Sequence, residues 1–419
     1  MSLRLCVKLA RSSVTLLRSQ GGINKEIVQL CRSLSTSHPH TTEKKLFTPG
    51  PLGTSLTVRQ AMLQDLGSRD IKFINVIKKI RADLLSIAEV DPADFTSILL
   101  QGSGTFAVES IFQTTVPRTG GKVLILENGV YGRRMKTICD TLAIPAHMES
   151  FAEDNRVDLG CVERVLKADN SFTHVAVVQC ETTSGLFNDV ESVGKLVKKH
   201  IPNCTYFVDA MSSFGAVPVD FSAGNIDVLV SSANKCLQGV PGFGFAIIRK
   251  DVLSRCKGNS RSLSLDLYDQ CDALDKTSQF RFTPATHAML AFSQALDEFR
   301  QEGGVHGRPW QRYMENCRVL NEGMTRLGFH SYLKADVAGY IITSYFYPQH
   351  PNFSFAEFYN RLNDKNDVIY PGKLLKADCF RIGTIGHLFP EDVERLLRNI
   401  ESVCRDMGMQ VPLEDKALP

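Results

Sequence analysis

The chain has 419 residues, of which 43% are hydrophobic and 22% charged, as in an ordinary globular protein. Residues 1–45 contain eight Lys and Arg against two acidic residues, so the formal net charge of +3 conceals a mildly acidic remainder. That remainder argues against a nucleic-acid or membrane-surface partner. The length predicts two domains, or one large and one small lobe.

The first segment, residues 1–45, is rich in Arg, Ser and Thr and almost free of acids, which is typical of an organellar transit peptide. Its basic residues between Arg4 and Arg18 are spaced to form one face of an amphipathic helix. A secretory signal and a disordered tail are the alternatives, and charges interrupt the apolar runs that a signal needs. We therefore expect import into the mitochondrial matrix. No run approaches the roughly 18 apolar residues of a membrane helix.

From residue 96 onward, short apolar runs alternate with helical patterns. This alternation predicts an α/β fold with a mostly parallel central sheet, and functional loops at the carboxyl ends of its strands. The predicted strands are 97–100, 122–126, 174–178, 205–208, 227–230 and 243–248, with helices between them at 105–115, 131–143, 158–168 and 189–200.

After residue 290 the pattern predicts a smaller α+β lobe. The predicted domains are a leader (1–45), an N-terminal segment that packs on the small domain (46–64), a large domain (65–300) and a small C-terminal domain (301–419). In the small lobe and the segment that leads into it, the predicted elements are helices 286–302 and 308–328, strand 340–346, helix 354–363, strand 379–383 and helix 390–406.

The twelve cysteines do not form the pattern of a disulfide framework, since none are spaced C-x-x-C. Cys180, Cys204 and Cys236 lie within or beside apolar segments and are expected to be buried thiols. Reduced thiols suit a matrix compartment. No metal site is predicted.

The most informative stretch, residues 231–244, places Lys235 among Ser, Asn and Gly residues just beyond an apolar strand. Asp209 ends an earlier apolar strand. A lysine amine bonds to the aldehyde of pyridoxal phosphate (PLP), and a carboxylate keeps the pyridine nitrogen of that cofactor protonated. Partial burial would lower the pKa of the amine, as proton transfer requires. A surface lysine and a helix N-cap are the alternative interpretations of the two residues.

A candidate phosphate site follows the first strand at Ser103, Gly104 and Thr105. Small residues there expose backbone N–H groups at a helix N-terminus, beside two hydroxyls, which suits a phosphate dianion. Helix capping alone is the alternative.

Three further loops and strands offer ring and anion contacts. Tyr131 could stack on a flat ring or cap the core. Thr182 or Thr183 could donate to the phenolic oxygen of the cofactor or form an ordinary turn. Arg381, on an alternating strand, has the guanidinium fork that binds carboxylate or phosphonate, with a structural salt bridge as the alternative. Arg261 is a second candidate anion contact.

Taken together with residues 282–287, these motifs resemble the class V aminotransferases of fold type I, which depend on PLP. Within that family they are most similar to the enzymes that act on 2-aminoethylphosphonate and pyruvate. The resemblance spans residues 46–405 and rests on 48–52, 101–105, 128–132, 208–215, 231–243, 260–267 and 370–386.

The resemblance implies a large PLP domain with a mostly parallel sheet, a smaller C-terminal domain, and a homodimer with active sites at the subunit interface. It implies that Lys235 and Asp209 are catalytic and that Arg381 binds the acidic group of the substrate. Residues 284–285 are Pro-Ala where Ser-Pro is expected, so the threonine that reaches the partner's phosphate stays open. The implied cofactor contacts are Ser103, Gly104, Thr105, Tyr131, Thr182, Thr183, Asp209, Ser232, Asn234, Lys235, Thr283 and Thr286.

The expected reaction moves the amino group of 2-aminoethylphosphonate to pyruvate, giving phosphonoacetaldehyde and L-alanine. An alanine–glyoxylate or serine–pyruvate type of aminotransferase is the nearest alternative. A cysteine desulfurase would need a cysteine on a recognisable mobile loop, which the sequence lacks. A catalytically silent scaffold with the same fold is disfavoured by the presence of Lys235, Asp209 and Arg381.

Overall fold

The computed structural model describes residues 43–372, 374 and 377–414; the predicted leader lies outside these residues except for its last three positions. The apolar runs form strands where the sequence predicts them. The strands are β1 (Lys45–Leu46), β2 (Phe95–Gln101), β3 (Val123–Glu127), β4 (Ala146–Ser150), β5 (His174–Val178), β6 (Cys180–Glu181), β7 (Leu186–Phe187), β8 (Thr205–Asp209), β9 (Val228–Ser232), β10 (Phe243–Arg249), β11 (Ile342–Phe346), β12 (Asp367–Val368), β13 (Tyr370–Pro371) and β14 (Cys379–Gly383).

The helices lie between these strands and before the first of them, and the predicted ones are found within a few residues of their expected bounds. The α-helices are α1 (Leu56–Gln60), α2 (Ile71–Ile87), α3 (Gly104–Thr115), α4 (Val130–Thr141), α5 (Leu159–Ala168), α6 (Val190–His200), α7 (Lys250–Ser254), α8 (Leu267–Thr277), α9 (Thr286–Gln301), α10 (Met314–Arg326), α11 (Phe355–Asp364) and α12 (Pro390–Asp406).

The central sheet has seven strands in the order β2-β10-β9-β8-β5-β3-β4. Strand β10 runs antiparallel to both of its neighbours, and the other pairs are parallel. The predicted mostly parallel sheet is therefore confirmed. Because β10 alone is reversed, the carboxyl ends of the other six strands lie at one edge of the sheet, which we call the carboxyl edge.

The degree of burial explains why the central strands were predicted from the sequence and why β4 was not. Strands β3, β5, β8 and β9 are buried at every position, and each contains an apolar run of three or four residues. Strand β4 lies at the edge of the sheet and is only partly buried, so it has no such run. Its presence follows from pairing with β3 rather than from its own sequence.

Helices pack on the sheet through aromatic and aliphatic side chains. Phe112 of α3 contacts Phe207 of β8 edge to face, with ring centroids 5.3 Å apart, a favoured geometry for two buried aromatic rings. One continuous core of buried side chains runs from Phe73 to Phe299. This core holds α3 rigidly against the strands whose ends carry the candidate site.

A three-stranded sheet, β11-β14-β13, lies in the C-terminal part of the chain. Its core contains Phe358, Phe380 and Ile400, and it also takes in Phe47. Strand β1 pairs with β12, so the segment near residue 46 packs on this part. The part of the N-terminal segment around Ser55 contacts α9 instead, where Ser55 Oγ donates to Glu298 Oε1 at 2.9 Å. The described residues from Lys45 onward form one compact unit, and the domain boundaries near 64 and 300 stay predictions.

The predicted helix 308–328 is interrupted. Residues Pro309–Tyr313 form a π-helical turn before α10 begins. Arg308 and Arg312 both bind Glu302 at 2.8 Å, and Arg312 also donates to the carbonyl of Gly386. The wider turn places both guanidinium groups on one side, which the apolar pattern alone does not encode.

In residues 43–414, as far as they are described, no helix is both long and apolar enough to cross a bilayer. No three His, Cys, Asp or Glu side chains of the described chain are grouped to hold a metal ion. Cys180, Cys204 and Cys236 are buried free thiols, which confirms their predicted environment.

Candidate active site

Five of the predicted loops meet at the carboxyl edge of the central sheet. Ser103–Thr105 follows β2, Tyr131 follows β3, Thr182 follows β5, Asp209 ends β8 and Lys235 follows β9. Strand β8 lies between β9 and β5. The sheet order therefore places Asp209 between the loop of Lys235 and the loop of Thr182, at the edge where parallel sheets bind ligands.

Lys235 contacts the N-terminal segment of the chain. Its Nζ donates to the carbonyl of Pro49 at 2.8 Å. Gly50 has a φ of +124°, and an added Cβ there would lie 2.7 Å from Lys235 Nζ, so the close approach requires glycine. Burial lowers the pKa of the Lys235 amine, while the nearby Asp209 carboxylate opposes that shift. A lowered amine pKa is the condition predicted for a proton-transferring lysine.

A buried tyrosine, Tyr313, forms hydrogen bonds with the loop that carries Lys235. The hydroxyl of Tyr313 donates to the carbonyl of Cys236 at 3.0 Å and accepts from the amide of Gln238. Gln238 has a left-handed φ of 58°, and its N–H donates to the carbonyl of Lys235, so the chain turns within three residues of the lysine. These buried contacts fix the backbone that directly follows the lysine.

Asp209 is buried beside Lys235. Its Oδ1 accepts the backbone N–H of Met211 at 2.8 Å. Burial raises the pKa of Asp209 to about 6, against the opposing effects of the Met211 N–H and of the charges on Arg134 and Lys235. Among the described residues, Oδ2 has no hydrogen-bond donor. A carboxylate oxygen is thus left for a cationic ring N–H.

The N-terminus of α3 forms an open cradle of donors. The side chain of Ser103 makes no capping hydrogen bond, and the first backbone N–H groups of a helix have no intrahelical acceptor. A Cβ at Gly104 would lie 2.2 Å from Met211 Sδ, so a larger residue here would displace the end of the Met211 side chain. Thr105 Oγ1 accepts from Arg134 Nη1 at 3.3 Å. Donors, hydroxyls and a cation therefore meet at one helix N-terminus.

Tyr131 is fixed by two neighbours that come from other parts of the chain. Its backbone N–H donates to Glu181 Oε2 at 3.2 Å, and the guanidinium of Arg134 lies 4.8 Å from the centre of its ring. Burial raises the pKa of Glu181 to about 7, against the hydrogen bonds from Thr183 and Tyr131. Arg134 and Glu181 were not predicted as site residues; a charged residue beside a functional loop was their only sequence signal.

Arg381 connects the smaller sheet to this edge. It is fully buried on β14, and its Nη1 donates to the carbonyl of Thr182 at 2.5 Å. Its Nε and Nη2 both donate to the carbonyl of Pro371, and the guanidinium lies 5.0 Å from the ring centre of Tyr370. Three of its five N–H groups are thus engaged, which leaves two for an anion.

Arg261 does not join the site of its own chain. Its guanidinium donates to the carbonyls of Gln113, Val116 and Pro117, at the C-terminal end of α3. That end is about 18 Å from the N-terminal cradle, given the rise of a 12-residue helix. The predicted substrate contact of Arg261 is therefore unsupported, and its position is explained by capping of the last turn.

The remaining predicted contacts lie near the edge without a defined partner. Ser232 ends β9 and is buried, and Asn234 is half-buried one residue before the lysine. Thr283 is exposed, Thr286 begins α9, and Gln101 Nε2 donates to the carbonyls of Phe282 and Thr283. Their cofactor contacts stay predictions.

The set of side chains matches the functional groups of PLP. The uncapped N-terminus of α3 suits a phosphate dianion, the buried Asp209 oxygen suits a ring N–H, and the Lys235 amine suits an aldehyde. Tyr131 supplies an aromatic face beside them. The donors, acceptors and amine at the carboxyl edge are therefore complementary to this cofactor.

The chain is similar to several aminotransferases and transaminases. A bifunctional phosphonoacetaldehyde hydrolase/aminoethylphosphonate transaminase of Clostridioides difficile is 46% identical over 85% of this chain, which spans 56% of that longer protein. A 2-aminoethylphosphonate–pyruvate transaminase of Lysinibacillus sphaericus is 45% identical over 85% of this chain and 96% of its own. The crystal structure of the pyridoxamine–pyruvate aminotransferase of Mesorhizobium loti has a TM-score of 0.80 at 21% identity, covering 89% and 95% of the two chains.

The predicted mitochondrial matrix location is contradicted by these comparisons. The curated relatives are bacterial proteins, and bacteria have no mitochondria to which an enzyme is imported. The basic, hydroxyl-rich composition of residues 1–45 is a compositional pattern and not a targeting signal in itself, so the prediction of mitochondrial import was wrong.

The family is shown by a match that covers most of the folded chain. The aminotransferase class-V profile matches residues 59–333, which contain the central sheet and every candidate cofactor contact. The structural similarity adds the fold-type I architecture of the mixed, mostly parallel sheet. The chain therefore belongs to the aminotransferase class-V family and is a PLP-dependent transaminase.

Proposed function

We propose that this transaminase moves the amino group of 2-aminoethylphosphonate to pyruvate, giving phosphonoacetaldehyde and L-alanine. The observation that carries the proposal is the buried Arg381, which reaches the loop of Thr182 with two N–H groups to spare. Phosphonate and carboxylate present similar oxygen edges, so one guanidinium can serve both substrates in turn. The names of the 45–46% identical relatives support the same substrates.

The phosphate of PLP would be held at the cradle of α3. Backbone N–H groups at Gly104 and Thr105, with the Ser103 hydroxyl, would donate to its oxygens, and the helix dipole favours its negative charge. Arg134, already bonded to the Thr105 hydroxyl, adds a cation at the same place. When bound, PLP supplies an electron-accepting ring that stabilises negative charge on the amine-bearing carbon of the substrate.

Asp209 would hold a proton on the ring nitrogen. Its pKa of about 6 leaves it ionised at neutral pH, and a cationic partner would stabilise the ionised form further. The carboxylate is fixed by the Met211 N–H, so it needs no reorganisation to accept the ring N–H. Tyr131 would cover the face of the ring.

Lys235 would move the proton of the substrate. Its Nζ lies in a buried setting that lowers the amine pKa, which favours the neutral form of the amine that can act as a base. Nζ would take the proton from the substrate carbon that bears the nitrogen. The contact with Pro49 and the buried Tyr313–Cys236 hydrogen bond keep the lysine at the site during this step.

A homodimer with shared sites is part of the proposal. Phe106 and Phe282, 51% and 43% exposed, lie close to the cradle, because Gln101 at the end of β2 binds the carbonyl of Phe282. Leu63 is 85% exposed on the segment before α2. Exposed apolar side chains of this size favour a protein interface. Light scattering should give twice the chain mass, and a monomer mass would contradict the dimer.

The reaction is tested with a panel of amino donors. Purified holoenzyme is assayed with 2-aminoethylphosphonate, alanine, serine or cysteine and a keto acid, and the products are measured. The phosphonate donor with pyruvate should have the highest kcat/KM. A higher value for serine or alanine with glyoxylate would favour the alternative aminotransferases, and sulfide release from cysteine would favour a desulfurase.

The role of the lysine is tested separately. Lys235→Ala should abolish turnover and the absorbance band of the lysine-bound cofactor. Lys276→Ala is the matched control, since Lys276 is an exposed residue paired with Asp272. Retention of both signals by Lys235→Ala would remove Lys235 from the mechanism.

A further inference from the structure

The π-helical turn Pro309–Tyr313 is a feature of the fold that the proposed reaction does not yet explain. Turns of this kind are rare, and they occur frequently at functional sites. This one lies directly before α10. Its last residue, Tyr313, is fully buried, whereas Trp310 within the same turn is 57% exposed. The turn therefore directs one aromatic side chain into the protein and leaves the other at the surface.

Tyr313 contacts the loop of Lys235 through its hydroxyl. The hydroxyl donates to the carbonyl of Cys236 and accepts from the side-chain amide of Gln238. The backbone N–H of Gln238 in turn donates to the carbonyl of Lys235 at 2.7 Å. One hydroxyl thus binds the residue directly after the lysine and the residue that closes its turn.

Cys236 also connects this loop to the loop of Asp209. Its Sγ donates to the carbonyl of Ser212 at 3.2 Å, and Ser212 lies three residues after Asp209. Tyr313 binds the carbonyl of the same cysteine. A shift of Cys236 would therefore change the position of Lys235 relative to Asp209.

The ring of Tyr313 belongs to a small apolar cluster that extends to the N-terminal segment. Cys236 and Leu52 are both buried members of this cluster. Leu52 lies three residues after Pro49, whose carbonyl accepts from Lys235 Nζ at 2.8 Å. The tyrosine is therefore packed in one unit with the backbone that follows the lysine and with the segment that binds its amine.

Arg312 gives the turn a second link to the N-terminal segment. This buried side chain donates from Nη1 to the carbonyls of Gly386 and Leu388, at 2.6 and 3.2 Å. Between these two residues, the N–H of His387 donates to the carbonyl of Gly53 at 2.9 Å. Two adjacent side chains of the turn thus support both parts of the chain that contact the lysine.

We propose that Tyr313 is a positioning residue for the proton transfer by Lys235, and that the π-helical turn places it there. The inference rests on the proposed function, because it concerns the step in which the substrate C–H bond breaks and Nζ takes the proton. Tyr313 acts through the backbone of Cys236 and touches neither substrate nor cofactor. A misplacement of about 1 Å can slow an enzymatic step by about 100-fold.

The test compares Tyr313→Phe with Tyr206→Phe in the holoenzyme. Tyr206 is the matched control, since it is fully buried and its hydroxyl donates to the carbonyl of Val190 at 2.7 Å. Each change removes one buried hydroxyl that binds a backbone carbonyl, so Tm should fall by about 1–5 °C in both variants. Only Tyr313→Phe should alter the reaction.

The kinetic measurement is the isotope effect with 2-aminoethylphosphonate that carries deuterium on the amine-bearing carbon. In Tyr313→Phe, kcat should fall by about 5–100-fold while KM for the amino donor stays within about twofold. The isotope effect on kcat should rise, because a displaced amine makes proton transfer the slowest step. A merely structural role would lower Tm and leave the isotope effect at the wild-type value, as expected for Tyr206→Phe.

Hydrogen exchange measures the lysine loop without turnover. The amide of Gln238 should exchange about 2–10-fold faster in Tyr313→Phe and at the wild-type rate in Tyr206→Phe. Wild-type kcat and isotope effect in Tyr313→Phe would overturn the proposal, and so would unchanged exchange at Gln238. If the wild type does not turn over 2-aminoethylphosphonate, the proposed function fails, and the exchange rates still decide whether Tyr313 holds the loop.

Discussion

Replacement of Arg381 by lysine tests the anion clamp most directly. Arg381 uses three N–H groups to bind the carbonyls of Thr182 and Pro371 and has two left for the substrate. Lysine has three N–H groups at one point. It can therefore keep the contacts within the protein or bind the substrate, but it cannot do both with a two-pronged geometry.

The magnitude follows from the number of bonds lost. Each hydrogen bond that involves a charged group contributes about 1.5–3 kcal/mol. Loss of one of the two substrate contacts should lower kcat/KM by about 10–150-fold, at 1.36 kcal/mol for each factor of ten. The anchoring of Thr182 is weakened as well, so the larger end of this range is expected.

The assay follows each half-reaction separately through the absorbance of the cofactor, first with 2-aminoethylphosphonate and then with pyruvate. Both rates should fall by similar factors, because one clamp serves both substrates. Arg405→Lys is the control, since Arg405 is an exposed residue on α12 that binds Glu401. That variant should match the wild type.

Two results would refute this reasoning. A loss of less than about threefold in both half-reactions would mean that Arg381 makes no bidentate substrate contact. A loss confined to one substrate would mean that phosphonate and carboxylate bind at different groups.

Two further predictions concern the buried carboxyls. Asp209→Asn should lower kcat by about 100–10,000-fold, because loss of a buried charge partner costs about 3–5 kcal/mol, and activity within tenfold of wild type would contradict the ring contact. The pKa of Glu181 is raised from 4.5 to about 7 in the folded protein, mainly by burial and also by the nearby Asp209 charge. The folded state therefore binds more protons between these values, and the stability contributed by Glu181 falls as pH rises through that window. In urea unfolding, the wild type should lose up to about 3 kcal/mol relative to Glu181→Gln between pH 5 and pH 8; a constant difference would contradict it.

Much of the fold could be predicted because its signals are local. Strands such as β3 and β5 are buried on both faces and are apolar at four of five positions, and α12 begins with a proline at its first turn, as helices often do. Lys235 and Asp209 stand out because a charged side chain directly after a buried strand needs a chemical reason.

The contacts between distant segments could not be predicted in the same way. Arg381 and Thr182 are 199 residues apart, and Tyr131 and Glu181 are 50 apart. Arg261 has the right chemistry for an anion contact but caps the wrong end of α3.

The sequence alone thus determined most of the elements and the class of cofactor, and it singled out Lys235 and Asp209 as candidate catalytic residues, since periodicity and residue type act over a few neighbouring positions. Tertiary structure decided which side chains share the carboxyl edge, that Thr183 is committed to Glu181, and that Arg134 reaches the cradle. The physical reason is that strand order and the approach of loops depend on packing between segments far apart in the chain, which no local pattern records.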